Sequence, residues 1–304
     1  MSLVSVLIPT FRRPDSFMRA ARSVFAQRGV ANIELIAVDN SPEGSALAAF
    51  EQLAPEAPIP FRWTHAPTPG VAQARNAALT MARGDLIAWL DDDEEATPEW
   101  LASLVAVRSA TGAQAVFGPV RAQAPKGAPN AGFYEHIYAR TGPAESGLIG
   151  EYHGIGNSLQ PRNMFEAGAP FDTDADQSGG EDDRLFSSWR DAGAKFAWAA
   201  DAVVIEHLGV ERTKLAHGLK RAFAYGQGPC ETAWRERDRL ALVRHMCVGA
   251  AQAVVYSVAS FIVFAGSTPL ALLMLDRAVR GAGKVLWFWE QRFYGAAALA
   301  AQPS

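Results

Sequence analysis

Three consecutive carboxylates, Asp91, Asp92 and Asp93, follow the apolar run Leu86 to Leu90, and Glu94 and Glu95 come directly behind. Like charges crowded at a strand end repel unless a cation offsets them. Hard divalent ions such as Mg²⁺ or Mn²⁺ take oxygen ligands and bridge one or two carboxylates to substrate phosphates. A clamp for a metal and a diphosphate is one reading of the cluster; a solvated acidic turn ahead of a helix at Thr97 and Pro98 is the other. A second acidic cluster, Gly179-Gly-Glu-Asp-Asp, runs into Leu185, Phe186 and Trp189 at helical spacing. Free N–H groups and the helix dipole keep a carboxylate at a helix start ionised, and glycines let backbone approach a ligand closely. A carboxylate so placed can serve as a general base, against the plainer reading of an N-cap with an acidic first turn.

The elements that must position these groups alternate. Val4 to Ile8, Ile33 to Val38, Phe61 to Thr64 and Leu86 to Leu90 read as strands. Between them, a helix carries Phe17, Ala20, Ala21, Val24 and Phe25, and two more span Ser45 to Leu53 and Ala72 to Ala82. Such alternation implies right-handed βαβ units, a mostly parallel sheet, and ligands bound beyond the carboxyl ends of its strands. From about residue 113 to 206 the signals shorten and Gly and Pro increase, as for a smaller mixed sheet; Val116 to Val120 and Ala202 to Ile205 are the strands expected there.

Six pieces standing in order resemble the family 2 glycosyltransferases over about the first 225 residues. They are Val4-Ser-Val-Leu-Ile-Pro-Thr-Phe-Arg-Arg, Val38-Asp-Asn-Ser, Gly70-Val-Ala-Gln-Ala-Arg-Asn, Gly84-Asp-Leu-Ile-Ala-Trp-Leu-Asp-Asp-Asp, Gly156-Asn and Gly179-Gly-Glu-Asp-Asp-Arg-Leu. Within that family the chain is similar to the rhizobial succinoglycan-type exopolysaccharide glycosyltransferases. The resemblance implies an α/β GT-A fold: a Rossmann-like mixed, mostly parallel sheet flanked by helices. It also implies an inverting, metal-dependent enzyme with a nucleoside-diphosphate sugar donor, a UDP-sugar. Carried over by position, Pro9, Thr10 and Arg12 shape the nucleotide pocket, Asp39 accepts a hydrogen bond from uracil, and Arg75 lies near the nucleotide or its phosphates. Asp91 faces the ribose and shares the metal, Asp93 holds the Mn²⁺ or Mg²⁺ directly, and Asp92 serves either job. Asp182 matches the catalytic base, with Glu181 supporting the acceptor or its loop. His207 stands where some relatives place a further metal ligand, and many lack it. Arg212, Lys214, Lys220 and Arg221 form a basic group suited either to the diphosphate or to anionic lipid.

Composition narrows the alternatives. At 49% hydrophobic residues the chain buries a sizeable core, and a net charge of −4 argues against a nucleic-acid partner. Two cysteines, Cys230 and Cys247, make neither a zinc motif nor a disulfide framework. The apolar start, Leu3 to Ile8, lacks a basic lead-in, so it is read as a strand and the catalytic part is expected in the cytoplasm. No Gly-rich, Lys-containing loop follows the first strand, which disfavours a nucleotidyltransferase. A non-catalytic sugar-nucleotide-binding scaffold of a glycan synthase complex remains the rival reading.

The expected division is a catalytic domain over residues 1–225 and a helical region over 226–304. Thirty residues from Met246 to Leu275 carry no formal charge, with Arg235, Arg237, Arg239 and Arg244 before them and Arg277, Arg280, Lys284 and Arg292 after. A single crossing would put one basic cluster on the wrong side, so a hairpin turning at Gly266-Ser-Thr-Pro269 is expected. Asp276 and Arg277 favour shallow, monotopic insertion, with Trp287, Phe288, Trp289, Phe293 and Tyr294 as interfacial anchors; a soluble helical pair is the alternative. These readings place the chain at the cytoplasmic face of a bacterial inner membrane, adding one sugar to a lipid-linked glycan.

Overall fold

The computed structural model describes residues 2–165, 170–175 and 180–289. The chain forms two compact units: residues 2–121 with Ala139–His207, and Ala122–Tyr138 with residues 208–289.

In chain order the first half contains β1 (Val4–Thr10), α1 (Pro14–Phe25), β2 (Ile33–Asp39), α2 (Leu47–Leu53), β3 (Phe61–His65), α3 (Val71–Met81), β4 (Leu86–Trp89), β5 (Glu94–Ala96) and α4 (Trp100–Thr111). There follow β6 (Ala115–Phe117), β7 (Val120–Gln123), α5 (Ala131–Tyr138), β8 (Gly147–Ile149), β9 (Ser158–Pro161), α6 (Glu181–Asp191), β10 (Phe196–Trp198) and β11 (Val204–His207). Pro14 sits in the first turn of α1, where its fixed φ fits and its missing N–H costs nothing.

Eight strands make one mixed sheet in the order β3-β2-β1-β4-β9-β6-β10-β8. β1, β2, β3 and β4 run parallel; β9 is antiparallel to both β4 and β6. Both faces are covered, so β1 reads as a continuous apolar run rather than an alternating one. Val4, Val6 and Ile8 pack in a layer with Phe17, Phe50, Trp100 and Leu104. Leu7, Ile36, Val38, Ile87 and Trp89 pack in the opposite layer with Ala72, Ala78, Phe186 and Trp189.

The strand expected over Val116 to Val120 is two strands, β6 and β7. Gly118 and Pro119 lie between them; Pro119 has no N–H for a ladder, and its carbonyl accepts from Asn157 and from Val204 N–H. The strand expected at Ala202 to Ile205 lies two residues later, antiparallel to β5.

The second unit is helical, with α7 (Leu215–Arg235), α8 (Arg239–Phe264) and α9 (Thr268–Val285) joined to α5. The 225/226 boundary falls inside α7. Glycines set the approach of α9: a Cβ on Gly249 would lie 2.7 Å from the Gly281 carbonyl, and one on Gly281 2.6 Å from Gly249 O. The break between α8 and α9 falls at residues 265–267, at the expected turn. At the other end Trp234 and Trp287 meet at 5.3 Å, and Gln227 Nε2 donates to the Trp289 carbonyl at 2.7 Å.

Along α8, Val243, Val248, Val254, Val255, Val258, Phe261 and Ile262 are exposed at helical spacing. Among the described residues this is the helix long and apolar enough to cross a membrane, by length and composition. Its 26 residues extend about 39 Å at 1.5 Å per residue. Cys247 is exposed on α8, whereas Cys230 is buried in α7 with its thiol donating to Lys284 O at 3.2 Å. The anchors expected at Phe293 and Tyr294, and the flanking Arg292, lie outside the described residues.

Candidate active site

The sheet order reverses direction between β1 and β4, whose crossovers leave on either side, and a crevice opens beyond the carboxyl ends of two such strands. Thr10 ends β1 and Asp91 to Asp93 follow β4, so the acidic cluster lies at this switch point. Thr10 Oγ1 donates to Asp92 Oδ2 at 2.7 Å, and Arg13 Nη1 reaches Asp92 Oδ1 at 3.1 Å and Asp93 Oδ2 at 2.9 Å. Asp92 and Asp93 are each only 7% exposed and Glu94 4%, so this is no solvated turn. Burial pushes Asp92 above the ordinary carboxylate value although Arg13 opposes the shift, and burial with the Asp91 charge pushes Glu94 well above its own. At Asp91, which keeps 44% of its side-chain surface open, water tempers the same upward push from burial.

Asp182 is at the other wall of the crevice, on the first turn of α6. Gly180 caps that helix at φ 86°, a left-handed conformation suited to glycine. Asp182 Oδ2 accepts from Ile155 N–H at 3.0 Å and Oδ1 from Asp183 N–H at 2.9 Å. Its neighbour Glu181 is buried and paired with Arg75 Nη1, while Arg75 Nη2 lies 4.0 Å from Asp91 Oδ1. Arg75, from α3, therefore ties the start of α6 to the acidic cluster. Gly156 completes the junction: a Cβ there would overlap the Asp91 carboxylate, so only glycine lets the loop before β9 lie against it. Asn157 beside it, at φ 53°, bonds Trp100 Nε1 through Oδ1 at 2.7 Å and the Pro119 and Ala202 carbonyls through Nδ2. Gly179 lies outside the described residues.

The remaining expected residues separate. Pro9 is on β1 opposite Val38. Asp39 is fully buried and accepts from Ser41 N–H and Oγ–H through Oδ1, and from Ala46 N–H through Oδ2. It thus shapes the β2–α2 loop, and its carboxylate keeps lone pairs beyond those bonds. Arg12, at φ 55°, pairs with Glu43 at 2.6 Å and not with the acidic cluster; Arg13 is the arginine that reaches it. Arg140, which no motif marked, donates from Nη1 to Gly156 O at 2.5 Å and acts electrostatically on both Asp91 and Glu94.

His207 stands across the β5–β11 pair from Asp93, its backbone N–H donating to Asp93 O at 2.9 Å, while its ring Nε2 lies 2.8 Å from Glu95 Oε2. Among the described residues no three carboxylate, imidazole or thiol side chains converge to hold an ion by themselves. The donor set still fits a hard divalent cation. Asp91 keeps an open carboxylate close to Asp93, and Mg²⁺ or Mn²⁺ completes its shell with diphosphate oxygens rather than with a full protein cage.

The model of the family described as "Glycosyl transferase family 2" matches residues 5–166. The chain belongs to glycosyl transferase family 2. It is 34% identical over 233 residues to the succinoglycan biosynthesis protein ExoM of Rhizobium meliloti (strain 1021), covering 74% of this chain and 73% of that protein. Among solved structures, this family 2 chain is similar to a mannosyltransferase from Pyrobaculum calidifontis in complex with GDP-Man and Mn²⁺. That match has a TM-score of 0.64 at 18% identity, over 95% of this chain and 88% of the other. It is also similar to S. aureus TarS 1–349 in complex with UDP-GlcNAc, with a TM-score of 0.54 at 14% identity, over 93% and 90% of the two chains. Against a longer TarS chain the match spans 39% of that chain. These likenesses establish a GT-A-like mixed α/β fold for this glycosyltransferase.

Proposed function

We propose that the chain is an inverting, metal-dependent transferase moving one sugar from a nucleoside-diphosphate sugar, a UDP-sugar, to a lipid-linked oligosaccharide of a bacterial exopolysaccharide. The observation carrying this reading is the convergence on one crevice of Asp91 to Asp93 and of Asp182, tied through Arg75 and Glu181. Similarity to a succinoglycan biosynthesis protein supports the glycan class, and similarity to nucleotide-sugar complexes supports the donor class.

On this reading Asp91 and Asp93, with His207 beside them, hold Mn²⁺ or Mg²⁺, and Pro9, Thr10 and Asp39 border the nucleotide. The bound cation would offset charge growing on the departing diphosphate. Asp182 takes the proton of the acceptor hydroxyl as its oxygen bonds the anomeric carbon, while the anomeric carbon–oxygen bond to the diphosphate breaks on the opposite face. One displacement inverts the anomeric centre and needs no protein nucleophile. Attachment to the cytoplasmic face of an inner membrane would come from the helical unit, whose apolar α8 surface and exposed Trp234 and Trp289 suit the bilayer interface.

Thermal-shift titration with UDP and GDP, each with Mn²⁺ and with EDTA, tests the donor side. Metal-dependent stabilisation by UDP is expected. Stabilisation by GDP alone would overturn the choice of nucleotide, silence from both would overturn the nucleoside-diphosphate donor, and nucleotide binding without donor hydrolysis would favour the scaffold reading.

A further inference from the structure

Arg140 is fixed from both sides. Its backbone forms a two-way bridge with Val120, N–H to O at 2.9 and 3.0 Å, and its Nη1 is spent on the Gly156 carbonyl. The second fork nitrogen, Nη2, is directed elsewhere: a Cβ built on Gly154 would lie 3.3 Å from it and 3.4 Å from Asp182 Oδ2. The two groups therefore flank one point, and because residue 154 is glycine no side chain fills it.

The surroundings suit a sugar. The adjoining loop carries Tyr152 and His153, and the His153 ring lies 5.2 Å from Trp198. Burial and the Arg140 charge push His153 down to about 4, so at neutral pH it is an uncharged ring beside the guanidinium. A guanidinium donor and a carboxylate acceptor flanking one unfilled point, beside the half-buried rings of Tyr152 and His153, are chemistry for neighbouring hydroxyls. The Asp182 carboxylate borders the same point as Nη2, and its charge opposes an anion there.

We propose that Arg140 positions the acceptor: Nη2 donates to an oxygen adjacent to the hydroxyl that Asp182 deprotonates, selecting a neutral sugar with vicinal hydroxyls. This inference rests on the transferase reading of the crevice.

The test is initial-rate kinetics of the full chain with a UDP-sugar donor and p-nitrophenyl glucoside, galactoside and glucuronide as acceptors. The wild type should use a neutral glycoside in preference to the glucuronide. Arg140→Ala should raise the acceptor KM roughly tenfold, the scale of one lost charge-assisted hydrogen bond, with the donor KM moving less than about threefold. Arg140→Lys keeps the charge and the reach to Gly156 O but lacks the second fork nitrogen, so its acceptor KM should fall between the two. Preference for the glucuronide, or an unchanged acceptor KM in both variants, overturns the proposal. Equal rises in both KM values would mark Arg140 as merely structural and overturn it too. Donor hydrolysis without transfer to either neutral glycoside also counts against it, while leaving the transferase reading standing. A wild type that neither binds UDP nor hydrolyses the donor brings down both.

Discussion

At the scale of single residues, the proposed chemistry depends on Asp182 being held by two backbone N–H groups while its neighbour Glu181 is locked to Arg75. Asp182→Asn should leave metal-dependent nucleotide binding intact and lower sugar transfer by about 10² or more, the usual scale of a general base. Transfer at the wild-type rate would remove Asp182 from the mechanism. The places of Asp91 to Asp93 after a strand and of Glu181 and Asp182 at a helix start were legible from the apolar run before the first cluster and the helical spacing after the second, but not their roles, since such carboxylates also make solvated turns and N-caps. Partners were less legible. Arg12 and Arg13 are adjacent and chemically identical, and only the left-handed turn at Arg12 decides that Arg13 faces the acidic cluster. Arg140 gave no signal, since an isolated arginine between helix and loop reads as surface until the Gly154–Asn157 loop folds beside it.

At the scale of elements, the parallel core is cross-braced by a buried carboxylate on β2. Glu34, 3% exposed, accepts from Ser5 Oγ at 2.6 Å, Arg62 Nη2 at 2.6 Å and Arg83 N–H at 2.8 Å, joining β1, β3 and the turn before β4. Burial alone would raise its pKa, but these three donors outweigh it and hold the group below the ordinary 4.5. A depressed carboxylate stabilises the fold fully above its unfolded value and loses that contribution as pH falls through the folded one. Glu34→Gln should therefore cost about 1.5–3 kcal/mol near neutrality, at the lower end because Arg62 is partly exposed. The gap in denaturant unfolding should shrink below pH 4.5; a gap that stays constant into acid would show that the charge is not what matters. The first four strands and the helices between them were readable from period and length, since both sheet faces are buried. The later strands are three or four residues long, too short for period to place, and their positions follow from pairing with neighbours: β6 with β9, β10 with β6 and β8, and β11 with β5 and β7.

At the scale of the whole molecule, two units of different character share one chain, and the chain passes between them at residues 121/122, 138/139 and 207/208. Composition announced the helical character of the second unit and the turn near Gly266, but not that α5 belongs to it. Its apolar α8 stripe yields a prediction of its own. Phe261 is 85% exposed and Val258 54%, so changing both to Asp should leave the unfolding midpoint unchanged. Co-sedimentation with phosphatidylglycerol vesicles should drop at least about tenfold, since burying each such side chain is worth roughly 1.5–3 kcal/mol. Undiminished sedimentation would leave α8 free to serve another partner. The two cysteines add a practical consequence. One thiol is enclosed beside Lys284 and the other lies on the outer face of α8, so a fluorophore or spin label should attach at Cys247 alone in the unmodified chain. The protein thus supplies its own depth gauge, and quenching by probes set at known levels of the acyl chains would measure whether that helix enters lipid and how far.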